Sequence, residues 1–111
     1  MMIDVIGKAT LRQTASLLKR CLLYVGNDTG PMHLAAAAGI PVVEISSFPR
    51  SAPLNDSNSP ARFRPWGASY TVLQPQMPLS PCTGACEAAE AHCIKAVSIA
   101  DVQGAIVRMF A

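Results

Sequence analysis

The stretch Leu22-Leu23-Tyr24-Val25-Gly26-Asn27-Asp28-Thr29-Gly30-Pro31-Met32-His33-Leu34-Ala35-Ala36-Ala37-Ala38-Gly39-Ile40-Pro41-Val42-Val43-Glu44-Ile45 decides the fold. Together with Cys21, the run 21–26 is apolar, short and bounded by turn residues, as a buried parallel strand is. Asn27-Asp28-Thr29-Gly30 is turn chemistry. Pro31 suits the first helical position, and the small-residue run 31–38 predicts a helix that packs closely on a sheet. Gly39 closes that helix, and 41–46 is the next buried strand. Strand, helix and strand make a compact crossover unit, so the fold class is α/β, a Rossmann-like parallel-sheet fragment.

Working outward, residues 2–6 read as a strand or extended lead-in closed by Gly7. Thr10 is an N-cap for a helix over 11–20, with Leu11, Ala15 and Leu18 on its apolar face. Lys19 and Arg20 would then sit in the last turn, where the helix dipole favours cations. Downstream, 47–68 holds Pro49, Pro53, Pro60 and Pro65 among serines and asparagines, and predicts a long surface loop. A strand over 70–73 follows, then a Pro-rich stretch over 74–86 and a short helix near 87–94. Ser98 caps a final helix over 99–110, with Ile99, Val102, Ile106 and Phe110 among its apolar positions.

With 111 residues, the sensible division is one domain, 1–111, with a loop insertion over about 47–68. Half the residues are hydrophobic, 50%, and mean hydropathy is +0.29, which excludes disorder and suggests apolar surface facing another domain or chain. No apolar run approaches the roughly 18 residues of a membrane span, and the start lacks a signal-peptide pattern. The expected location is cytoplasmic. The net charge of +2, with few aromatics and no basic stripe, gives no support for nucleic-acid binding.

Chemistry concentrates in the turn before the second helix. Ligands of open parallel sheets bind at the carboxyl ends of strands, and a helix N-terminus presents unpaired N–H groups that suit phosphate. Gly30 allows close backbone approach, and the Thr29 hydroxyl adds a donor. Asp28 would repel phosphate, so capping the helix or binding a sugar hydroxyl fits it better. His33, one turn in, can point back and donate from its imidazole. On spacing alone an ordinary capped turn is the commoner explanation, with His33 a satisfied helix residue. The segment is neither a dinucleotide fingerprint nor a P-loop.

Val25-Gly26-Asn27-Asp28-Thr29-Gly30-Pro31-Met32-His33-Leu34-Ala35-Ala36-Ala37, followed by Gly39-Ile40-Pro41-Val42-Val43, resembles the signature of glycosyltransferase family 9, which contains the ADP-heptose:lipopolysaccharide heptosyltransferases. Upstream, Ile6-Gly7-Lys8-Ala9-Thr10-Leu11 is similar to the family's turn before the preceding helix. The Pro-rich segment with Cys82, Cys86 and Cys93 resembles a Cys-bearing stretch near the end of many members.

The resemblance implies the C-terminal portion of a GT-B donor-binding domain. It implies an inverting, metal-independent transfer of heptose or a related sugar from a nucleotide diphosphate sugar, ADP-heptose above all, to a lipopolysaccharide-type acceptor. Under it, Asp28 meets the sugar or ribose side of the donor, and Thr29 and Gly30 bind the pyrophosphate. His33 supports the phosphate end, while Lys8 and Ala9 lie near the donor. No cofactor is implied, and the location is the cytoplasm or the inner-membrane periphery. The N-terminal acceptor domain and its catalytic carboxylate are unmatched here, so this chain alone is expected to be inactive. Catalytic residues are expected to be none, and homo-association through exposed apolar surface is expected. A non-catalytic anion-binding or assembly module of the same fold is the alternative.

Cys82-x3-Cys86-x6-Cys93, with His92 adjacent, has three readings: free thiols, which are the commonest, a disulfide, or zinc ligands. The spacing is not the usual paired one, and a complete ligand set is not obvious from it. Cys21, heading a strand, reads as a core thiol. Arg50, Arg62 and Arg64 read as solvated loop charges, with contact to an acidic acceptor as the functional alternative. Trp66 reads as a loop anchor packed on the domain.

Overall fold

A computed structural model describes residues 1–56, 59–67, 69–84 and 86–111. Its elements run α1 (Leu11–Leu18), β1 (Tyr24–Asn27), α2 (Gly30–Ala37), β2 (Val42–Ile45), α3 (Pro60–Phe63), β3 (Tyr70–Leu73), a 3-10 turn (Cys93–Ala96) and α4 (Ile99–Met109). The three strands form one parallel sheet in the order β1-β2-β3. The α/β class with a parallel, Rossmann-like sheet is therefore observed.

Registers Tyr24↔Val42↔Tyr70 and Gly26↔Glu44↔Val72 place every strand's carboxyl end on the same side of the sheet. The helix α2 packs on β1, β2 and α1, whereas α4 packs on β2 and β3. The core beneath α2 is Met32, Ala35, Ala36, Ile40 and Val42, with Leu18 and Tyr24 packed against it. Burying a side chain the size of Met32 or Val42 contributes about 1.5–3 kcal/mol, whereas the alanines of α2 contribute mainly by letting helix and sheet approach. Gly39, at φ +83°, makes the left-handed turn from α2 into β2, a backbone state that costs L residues with side chains dearly.

Several expectations are corrected. The first strand is shorter than 21–26 and is not buried: β1 alternates half-buried and exposed residues, and Leu22 is 82% exposed. Among the described residues β1 is an edge strand paired only with β2. Cys21 is exposed too and is no core thiol. Residues 2–6 form no strand; the Ile6 N–H donates to Asp4 Oδ1 at 2.9 Å in a local turn. Helix α1 stops at Leu18, with Lys19 as its C-cap, so Lys19 and Arg20 lie past its last turn.

The long loop contains α3, whose first turn is closed by the buried Ser59 hydroxyl accepting from the Ala61 N–H at 3.2 Å. No helix forms at 87–92, where most side chains are exposed and offer no apolar face to bury; only Cys93–Ala96 winds, as a 3-10 turn. In α4 the residue fully withdrawn from solvent is Ala105, while Ile99 and Phe110 are exposed. Trp66 is 81% exposed and is not the buried loop anchor expected.

Candidate functional site

The carboxyl ends of β1 and β2 open onto a pocket of about 380 Å³. Asn27, Asp28 and Thr29 form one wall, and Ile45, Ser46, Ser47 and Phe48 another. Cys86 and Ile94 close it from the C-terminal part of the chain. This is the position at which open parallel sheets take ligands.

Local geometry explains the first wall. The ring of Tyr24 lies against Gly26, where a Cβ would meet the Tyr24 hydroxyl at 2.6 Å, so any other residue there would require the ring to move. Thr29 has extended backbone and occupies the N-cap of α2, yet its side chain makes no capping hydrogen bond. Its hydroxyl instead reaches the Asn27 carbonyl at 3.4 Å. Pro31, inside the first turn, has no N–H to offer. The positive end of α2 is thus left without a side-chain cap, next to the pocket. A Cβ on Gly30 would meet nothing within 4 Å, so the approach to that terminus is open.

His33 Nε2 lies 3.1 Å from Asp28 Oδ1, and both side chains are partly exposed. An ionised carboxylate only accepts, so in that state Nε2 carries the proton. Asp28 therefore orients the imidazole rather than capping the helix. The structure brings Asp28, Thr29, Gly30 and His33 together around one helix terminus. Lys8 and Ala9 do not join them: they are exposed ahead of α1, where the Lys8 N–H donates to the Val5 carbonyl at 3.0 Å, and neither lines the pocket.

One residue of interest gave no sequence signal beyond its place in an apolar strand. Glu44 on β2 is fully buried, and neither carboxyl oxygen has a hydrogen-bond partner among the described residues. Burial, and secondarily the charge of Asp28, pushes its pKa up to about 7. A single acid within Pro41-Val42-Val43-Glu44-Ile45 reads as an outward-facing strand residue, and only the covering of both sheet faces makes it interior.

The loop arginines separate. Arg64 stacks on the Tyr70 ring at 5.4 Å from its centroid and hydrogen-bonds the Tyr70 hydroxyl, and Arg62 lies over Phe63 at 5.9 Å. Among the cysteines, Cys86 is lowered to about 6, chiefly by backbone hydrogen bonds from Cys93 and Ala88, whereas burial raises Cys93. All four cysteines are free thiols in the structure.

A parallel sheet, a crossover helix with an uncapped N-terminus and a pocket at the strand ends together make a small Rossmann-like unit. A sequence model of glycosyltransferase family 9 (heptosyltransferase) matches residues 1–92, most of the 111, and the chain belongs to that family. No curated protein and no solved structure matches it. Among the described residues no helix is long and apolar enough to cross a membrane.

Proposed function

We propose that this chain is the donor-binding part of an inverting glycosyltransferase of GT-B architecture. The donor is a nucleotide diphosphate sugar, ADP-heptose or a relative, and the acceptor is of lipopolysaccharide type. The observation that carries this reading is the uncapped N-terminus of α2 beside the 380 Å³ pocket at the strand ends, in a chain of this family. The pyrophosphate lies at Thr29 and Gly30, where N–H groups and the helix dipole complement its charge. His33, oriented by Asp28, donates to the phosphate end, and Asp28 keeps a free lone pair for a sugar or ribose hydroxyl.

As the glycosidic bond breaks, negative charge grows on the nucleoside diphosphate. A preorganised helix terminus and imidazole stabilise that charge without a metal. The general base and the acceptor site belong to an acceptor domain distinct from this donor-binding unit, and the reaction runs in the cytoplasm or at its membrane face. Asp28 orients His33 and faces the donor, and is not that base.

Calorimetric titration of the chain with ADP and ADP-heptose tests the reading. Both bind, and Gly30→Val weakens both at least tenfold while leaving the melting temperature nearly unchanged, because its side chain enters open space. Equal affinity in the variant sinks the placement. Binding of ADP and inorganic pyrophosphate with no gain from the sugar favours a non-catalytic anion-binding module instead.

A further inference from the structure

The segment from Ser80 to Cys93 carries chemistry that donor binding does not use. Cys82, Cys86, His92 and Cys93 each offer one ligand atom, and these atoms all lie within 4.8 Å of one another. His92 Nδ1 is 3.5 Å from Cys82 Sγ and 3.4 Å from Cys93 Sγ. Around a tetrahedral zinc ion, sulfur and nitrogen ligands stand about 3.6 Å apart. The remaining ring nitrogen is occupied: Nε2 lies 3.1 Å from the Ser80 carbonyl oxygen. A carbonyl only accepts, so Nε2 carries the proton and Nδ1 keeps its lone pair toward the sulfurs. A metal-bound histidine is held in this same way by an outer carbonyl.

We infer that Cys82, Cys86, Cys93 and His92 Nδ1 bind one zinc ion in a closed, four-coordinate structural site. A disulfide would use two of the three sulfurs and leave the third and the imidazole converging on nothing. Four protein ligands leave no open position, so the ion takes no part in glycosyl transfer, and the site stands independently of the donor reading. On loading, each cysteine that was a thiol gives up its proton to solvent, and the imidazole enters neutral.

The ion supplies what this stretch otherwise lacks. Between β3 and the 3-10 turn the described residues form no helix or strand, and 87–91 are exposed. Crosslinking Cys82 to the turn at His92 and Cys93 also fixes Cys86 and the neighbouring Ile94, which form one side of the pocket at Asp28.

The test is elemental analysis of the full chain, purified reduced and without chelator, paired with thiol counting. One zinc per chain is expected, with exposed Cys21 the single rapidly reacting thiol until a strong chelator releases the other three. Exchange of cobalt(II) for zinc in the wild-type chain gives thiolate charge-transfer and tetrahedral ligand-field bands. His92→Cys retains the metal and shifts those bands toward an all-sulfur pattern, whereas the double variant Cys82→Ser, Cys93→Ser loses it. A metal-free chain with four rapidly reacting thiols overturns the inference. So does a disulfide among Cys82, Cys86 and Cys93, a cobalt spectrum without tetrahedral thiolate bands, or full zinc content in the double variant.

Discussion

Glu44 stands on the central strand with both carboxyl oxygens shielded from solvent and from every donor among the described residues. An ionised carboxylate there is unfavourable, so its proton is held to about pH 7, against 4.5 for a free side chain. Below pH 4.5 the group is neutral in both folded and unfolded chains. Between 4.5 and about 7 only the unfolded chain ionises, so stability falls as pH rises through that window, by on the order of 3 kcal/mol in total. Denaturant unfolding at pH 4.5 and pH 7.5 measures this. Glu44→Gln should remove most of the difference; a variant with the wild-type slope assigns it to another group. Asp28 and His33 show the opposite economy, since each meets the other's hydrogen-bonding need at the surface. Asp28→Ala should therefore leave the fold intact and weaken ADP-heptose more than ADP, because the lost carboxylate contacts sugar hydroxyls. Equal weakening of both ligands would mean that Asp28 acts only by orienting His33.

At the scale of elements, local chemistry sets the boundaries of α1 and α4. Thr10 and Gln13 close the start of α1 with reciprocal side-chain bonds, and Ser98 and Asp101 do the same for α4. The Asp101 N–H donates to Ser98 Oγ at 3.0 Å, and Asp101 Oδ2 accepts from the Ser98 N–H at 2.9 Å. These bonds also hold the Asp101 carboxyl below its ordinary range. Ser98→Ala should cost about 1 kcal/mol, read as a lower urea midpoint with an unchanged slope. Helix α2 follows another rule: its N-cap residue makes no side-chain bond, and its alanines pack against β1 and β2. Thr29→Ala should thus cost much less than Ser98→Ala in the same assay, and a loss as large would reveal a cap at Thr29. Donor affinity should still fall, since the hydroxyl is lost from the pocket wall.

Across the whole molecule, the uneven quantity is apolar exposure. Leu11, Leu17, Leu22 and Val25, on α1 and around β1, are all exposed, and β1 is an edge strand. An unpaired edge beside apolar surface is a template for association. Sedimentation at rising concentration should therefore show mass above the 11.7 kDa of one chain, and Val25→Lys should restore the single-chain mass. Concentration-independent monomer in the unaltered chain would refute this. The strand–helix–strand unit and the caps at Thr10 and Ser98 were legible from sequence alone, whereas Asp28, Thr29, Gly30 and His33 read on spacing as an ordinary capped turn and were singled out by the family resemblance. The unit and the caps each lie within one contiguous stretch, and periodicity and turn chemistry mark such stretches directly. Tertiary structure decided what depends on distant segments. It made β1 an exposed edge, buried Glu44 between covered sheet faces and left Trp66 in solvent. It also folded His92 back onto Cys82, ten residues earlier, so that three sulfurs and one imidazole share a single centre. Burial and ligand convergence are properties of the packed chain, fixed only when the chain folds back on itself.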